Sequence, residues 1–170
     1  MLRRSELAAL TVGCVEYLPS GGIGLRIAKS KTDQKGTGAL VCLGDLTKSG
    51  VPIARIVERH LGFVGGRGSE APLFDRGSVW PTRRAGGWQR GDFTDRLRFL
   101  LGELQCELPE LQLDLSSISA HSLRRGGATA AANAGISFEE IKEHGRWKSD
   151  AVLAYIRKSI AVRRAVVERM

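Results

Sequence analysis

The chain has 170 residues, 42% hydrophobic and 26% charged, and a formal net charge of +8. It carries no apolar run near the ~20 residues of a membrane-spanning helix, and Leu2, Arg3, Arg4, Ser5 and Glu6 after Met1 exclude the apolar core of a signal peptide, so an intracellular protein is expected. Cys14, Cys42 and Cys106 are odd in number and scattered, with no C-x-x-C pair and no His at ligand spacing, which excludes a disulfide framework and a zinc site.

Leu7, Ala8 and Leu10 recur at helical spacing and predict a short helix over Arg4 to Leu10, ended by Thr11, Val12 and Gly13. Cys14 to Leu18, Ile23 to Lys29 and Ala39 to Leu43 are β-forming runs separated by Ser20-Gly21-Gly22 and by the polar stretch Thr32 to Gly38. They predict a three-stranded antiparallel sheet. Pro52 opens a second periodic run through Ile53, Ile56, Val57 and Leu61, as proline in a first helical turn does. Val64 to Gly91 has no period; it carries Arg67, Arg76, Arg83, Arg84 and Arg90 with Trp80 and Trp88, and reads either as a DNA-contacting segment or as a mobile surface insert. Helices are expected over Phe93 to Leu104, His121 to Ala134, Ser137 to His144, Asp150 to Lys158 and Val162 to Arg169. Gly135 is a natural stop, and Ser137 with Glu140 forms an S-x-x-E capping box. The result is a single α+β domain, mostly helical, with segregated elements rather than alternating βαβ units.

The positive charge resides mainly on arginine, whose planar fork suits phosphate oxygens. It favours a polyanionic partner, nucleic acid first, although net charge also serves solubility alone. In His121-Ser122-Leu123-Arg124-Arg125-Gly126-Gly127-Ala128-Thr129, His121 and Arg124 are three apart and share a helix face, from which both could donate to one phosphate. The two glycines cost roughly 1 kcal/mol each in a helix and imply close approach of another element or of DNA. An arginine-rich solvated helix start with an incidental histidine is the alternative. Downstream stands Gly145-Arg146-Trp147-Lys148-Ser149-Asp150-Ala151-Val152-Leu153-Ala154-Tyr155-Ile156-Arg157.

The H-x-x-R pair, the G-x-W segment and a tyrosine followed by Ile-Arg resemble the C-terminal half of the catalytic domain of the tyrosine recombinase (phage integrase) family. Leu2-Arg3-Arg4-Ser5-Glu6-Leu7 is similar to the family's L-R-x-[SA]-E-[LI] segment, and Lys31 in Lys29-Ser30-Lys31-Thr32 resembles the lysine of its β-hairpin. The resemblance spans nearly the whole chain and implies the tyrosine recombinase catalytic-domain fold. It implies six site residues: Arg3, Lys31, His121, Arg124, Trp147 and Tyr155. Arg3 and Arg124 would clamp the non-bridging phosphate oxygens, whose charge grows in the transition state. His121 would assist proton transfer around the nucleophile, Lys31 would protonate the 5′-oxygen leaving group, and Trp147 would pack on the site and donate its indole N–H to the phosphate. Tyr155 would form a 3′-phosphotyrosyl link to double-stranded DNA. No cofactor and no metal are implied. The partners implied are duplex DNA and three further copies in a homotetramer on paired sites, and Ile160 to Met170 resembles the C-terminal helix that family members lend to a neighbouring subunit, or packs on its own domain.

Taken singly, these residues have ordinary readings. Arg3 suits a solvated helix start; Lys31 has Lys29 and Lys35 as rivals; Glu6 orients Arg3 or faces solvent; Trp147 suits a core; Tyr155 suits a half-buried helix position; Tyr17 matches nothing. The spacing from Trp147 to Tyr155 is one residue shorter than in familiar members, so Arg146 is a rival for the Trp147 slot and His144 a third choice. The helix that precedes the first arginine in the family, and the family's N-terminal DNA-binding domain, are missing before Arg3, so weak duplex binding is expected. Two other functions remain: a catalytically silent DNA-binding remnant of a mobile element, and a topoisomerase IB-like or telomere-resolving enzyme.

Overall fold

The computed structural model describes residues 1–30, 33, 36–74, 88 and 91–157. About half of the chain is helical and one small antiparallel sheet accompanies the helices, an α+β architecture. The chain divides into two bodies, one formed by Ser5–Arg96 and the other by Met1–Arg4 with the chain from Leu97 onward.

The first body is built on strands β1 (Val15–Tyr17), β2 (Ile23–Ile27) and β3 (Ala39–Leu43), in that order in the sheet. Glu16 opposes Gly24, and Leu25 opposes Val41. β2 is central, and its Ile23, Leu25 and Ile27 are buried with Val41 of β3, because alternate side chains of a strand share one face. Gly22, at φ +86°, closes the β1–β2 turn where a Cβ would collide with the Leu43 carbonyl. Across the exposed face Arg26 pairs with Glu16 at 2.5 Å. Helix α1 (Arg4–Ala8) leads into this body, and α2 (Ile53–Val64) lays Val64 into its core while Arg55, Glu58 and Arg59 face solvent. Pro52 sits at the N-cap of α2, one residue before the helix proper. His60 of α2 bonds the Leu73 carbonyl at 2.6 Å and stacks on Phe74.

Among the described residues three further α-helices follow. Helix α3 (Asp92–Glu107) extends the expected Phe93 to Leu104 at both ends, with Asp92 and Asp95 facing the positive end of its dipole. In the second body, Arg98 of α3 donates to the carbonyls of Ile118 and Ser116, at 3.0 and 2.8 Å, and so fixes the segment that enters α4 (Ala120–Asn133). Ser119 starts α4, its N–H donating to the Ser122 hydroxyl at 3.0 Å. Ala134 and Gly135 end it in a Schellman turn: the amide of Ile136 donates to Ala131 and that of Gly135 to Ala132, with Gly135 at φ +84°. Helix α5 (Phe138–His144) begins at the expected capping box, in which the Glu140 amide donates to the Ser137 hydroxyl at 3.2 Å and the Ser137 amide to the Glu140 carboxylate at 3.0 Å. Ala128, Ile141 and Val152 form the core of this body, with Met1, Phe138, Trp147, Tyr155 and Ile156 packed around them.

One expected helix is different. Asp150–Ala154 is a 3-10 helix and Tyr155 follows it in a turn. In an α-helix the Arg157 amide would donate to Leu153, four residues back; here it donates to the Thr129 hydroxyl at 3.2 Å, so the helix does not propagate. The expected helix Val162 to Arg169 and the segment Ile160 to Met170 lie outside the described residues, as do Arg76, Trp80, Arg83, Arg84 and Arg90 of the basic loop. Among the described residues no helix is long and apolar enough to cross a membrane.

Replacing Ser137 by alanine removes the α5 cap and is expected to cost about 1 kcal/mol, read as a lower thermal midpoint in a circular dichroism melt.

Candidate functional site

The two sequence segments with chemical promise meet in the second body. His121 and Arg124 lie in the first turns of α4, on one side of the helix, but in different surroundings: His121 is exposed and Arg124 is 3% exposed. The Arg124 guanidinium donates through Nη2 to the Gly145 carbonyl at 2.6 Å and through Nη1 to the Met1 carbonyl. Its carbon lies 3.9 Å from the centre of the Trp147 ring. A cation stripped of water is expensive unless paired, and here two carbonyl dipoles and an aromatic face take the place of water.

The seat of Arg124 is the end of α5. Gly145 caps the helix, Arg146 follows at φ +55°, and the amides of Arg146 and Trp147 return to the carbonyls of Glu143 and Lys142, each at 2.9 Å. This is a second Schellman turn, with arginine in the left-handed position that glycine occupies most readily. The turn folds Trp147 back over Gly145, so that a Cβ at Gly145 would fall within the indole ring. Gly145 is therefore small for steric reasons; its own φ of −81° suits any residue.

Tyr155 completes the cluster. Its ring centre is 5.8 Å from that of Trp147 and 6.3 Å from that of His121, and the residue is half-buried. Thr129, two turns along α4 from His121, donates its hydroxyl to the Tyr155 carbonyl at 3.0 Å. The Lys142–Asp150 ion pair, at 2.6 Å, ties α5 to the 3-10 helix that delivers the tyrosine.

Of the six residues singled out in the sequence, four thus lie together: His121, Arg124, Trp147 and Tyr155. Arg3 is half-buried in the same body, two residues after the Met1 carbonyl that receives Arg124. Lys31 lies outside the described residues. Beside it, Asp33 accepts from the amides of Gly38 and Thr37 at 2.7 and 3.2 Å, and chiefly the Gly38 bond holds its carboxyl below the usual range. Of the two rivals for the Trp147 slot, Arg146 takes the left-handed position and has its Nε and Nη1 buried, and His144 is the last residue of α5. The His144 pKa lies below the ordinary 6.5, first because its ring is partly desolvated and then because of the positive charges of the amino terminus and Arg146.

Thr129 and Met1 carried no signal of their own in the sequence, and Gly145 was marked only as the glycine of the G-x-W segment. Among the described residues, no three His, Cys, Asp or Glu side chains group as metal ligands would. The arrangement provides a phenol beside an exposed imidazole, with a buried guanidinium against the neighbouring Trp147 ring.

No protein-family model matches the sequence, and no curated protein matches it either.

Two outcomes are expected. Gly145→Ala should cost about 1–3 kcal/mol, because the Trp147 ring it would displace is fixed between Arg124 and Tyr155; thermal melts and near-UV circular dichroism read this. For His144, a folded pKa below the unfolded value means that the unfolded chain binds the extra proton first. Stability is therefore retained above about pH 6.5 and lost as pH falls through the folded value. His144→Gln should flatten the fall of the thermal midpoint between about pH 7 and pH 5.

Proposed function

We propose that this chain carries the catalytic centre of a site-specific DNA recombinase or integrase of the tyrosine recombinase type, with the corresponding catalytic-domain fold. The observation that carries the reading is the cluster itself: residues from three places in the sequence, His121 with Arg124, Trp147, and Tyr155, are linked in series, Arg124 to the Trp147 ring, Trp147 to Tyr155 and Tyr155 to His121. A phenol, an imidazole and an arginine can supply the nucleophile, the proton transfer and the charge stabilisation of a transesterification at phosphorus.

In the proposed reaction the Tyr155 hydroxyl oxygen attacks a DNA phosphorus, forming a 3′-phosphotyrosyl bond as the bond to the 5′-oxygen breaks. The phenol must shed a proton as it attacks, and the His121 ring, beside Tyr155, could relay it. The departing 5′-oxygen takes up a proton, a task the resemblance gives to Lys31. Charge accumulating on the non-bridging oxygens would be met by Arg124 and Arg3, permanent cations with planar forks. Rejoining is the same step in reverse, with a 5′-hydroxyl as nucleophile, so no external energy source is needed. The partners of this reading are duplex DNA and other copies of the chain, assembled as a homotetramer on paired sites, and its setting is wherever the DNA lies.

A second reading has its own supporting observation. Arg124 is buried and commits Nη1 and Nη2 to backbone carbonyls, the behaviour of a structural arginine; a DNA-binding module that keeps the fold without cleaving would tolerate this.

The deciding experiment incubates the protein with a pool of nicked duplexes of randomised sequence and looks for detergent-resistant protein–DNA complexes. The wild type should form them, and Tyr155→Phe should lose them while retaining DNA in a mobility shift. A covalent complex that survives in Tyr155→Phe removes Tyr155 as nucleophile; DNA binding by the wild type with no covalent complex selects the silent module.

A further inference from the structure

The two adjacent glycines of α4 have different surroundings. Among the described residues a Cβ at Gly126 would meet nothing within 4 Å, whereas a Cβ at Gly127 would meet the Met1 side chain, with Cγ at 3.0 Å and Sδ at 3.6 Å. Met1 also packs against the core of Ala128, Ile141 and Val152, and its carbonyl receives the Arg124 guanidinium. Side chain and backbone of the same residue are thus held by α4, one by the absence of a side chain at Gly127 and the other by the charge of Arg124. Residues 1–4 group with the second body, although the chain from Ser5 to Arg96 forms the other.

We propose that Gly127 is a positioning residue: the space it leaves seats Met1, and the seated Met1 holds the Met1–Arg4 segment, and with it Arg3, at the α4 site. The reach of the chain makes the consequence local, since two residues extend at most ~7 Å. The Arg3 backbone therefore cannot lie farther than that from the carbonyl that Arg124 binds. Loss of the seat would loosen the hold on the segment, and on Arg3 with it. The inference takes the role of Arg3 from the recombinase reading, but the seat itself is a property of the fold.

Gly127→Ala and Gly126→Ala form a matched pair. Both raise intrinsic helix propensity, so neither is expected to act through unfolding of α4, and only the first places an atom against Met1. The chain has two methionines, Met1 and Met170, so methyl-13C-methionine labelling gives two signals, assigned with Met170→Leu. Gly127→Ala should move the Met1 methyl signal toward that of a solvent-exposed methionine and speed amide exchange at Leu2 and Arg3; Gly126→Ala should leave both as in the wild type. On the nicked-duplex pool, Gly127→Ala should slow covalent-complex formation by about 10- to 100-fold, the scale of an ångström-level displacement of a catalytic group, with DNA affinity unchanged. An unmoved Met1 signal, unchanged exchange at Leu2 and Arg3, or unchanged cleavage in a variant whose Met1 signal has moved would overturn the proposal. If the wild type itself forms no covalent complex, the recombinase reading fails, and the methyl signal and amide exchange still decide whether Gly127 seats the segment.

Discussion

A buried guanidinium organises the second body. Arg124 is 3% exposed, yet the groups that meet it in the hydrogen bonds and ring contact described are neutral: the carbonyls of Met1 and Gly145 and the face of Trp147. Each is worth more inside the protein than at its surface, because a charge-assisted bond or a cation–aromatic contact strengthens when water is excluded. They come from two distant parts of the chain, its first residue and the turn that ends α5. Folding α4 with Arg124 inward therefore obliges the first residue, the end of α5 and the turn after it to assemble around one side chain. The Gly145 carbonyl is one of the last carbonyls of α5, which lack partners within their own helix and stand at the negative end of its dipole. Arg124 fills a vacancy that every helix end leaves.

The two helix ends on either side of this core share a hydrogen-bonding scheme and differ in cost. After α4 the left-handed position is Gly135, which enters it without strain. After α5 it is Arg146, a residue for which that conformation is unfavourable by roughly 1–2 kcal/mol. The gain that offsets this lies next door, where the turn brings the Trp147 ring over Gly145 and under Arg124. Beyond it, the Thr129 hydroxyl both donates to the Tyr155 carbonyl and accepts from the Arg157 amide, a two-sided hold that interrupts helical bonding at Tyr155. The tyrosine thus emerges from a turn fixed by α4, and its distance from His121 is set by two residues of the same helix, His121 and Thr129.

Under the proposed reading, this construction separates the support of the site from its reacting groups. Gly145, Met1 and Thr129 hold Arg124 and Tyr155 through hydrogen bonds, while the His121 ring is exposed and Tyr155 half-buried.

The local grammar of the chain was legible in advance. The Ser137–Glu140 box, the Gly135 stop, the three strands with their glycine turn and the α+β class follow from interactions between residues at most a few positions apart, whose energies do not depend on the rest of the fold. His121 and Arg124 could be read as neighbours for the same reason, since a helix fixes residues three apart on one side. The sequence did not carry the fate of Asp150 to Lys158, where helical propensity yields to a hydroxyl 28 residues away, nor the burial of Arg124, whose carbonyl partners stand 21 and 123 residues distant. Two adjacent glycines in a helix pointed to a close approach, but that it falls at Gly127 against Met1, and that Gly145 lies under Trp147, depends on distant contacts. Residue types and short spacings selected the chemistry and the elements. Which side chain is buried, where a helix stops against its own propensity and which glycine cannot change are decided by contacts between distant segments, and those exist only once the chain has folded.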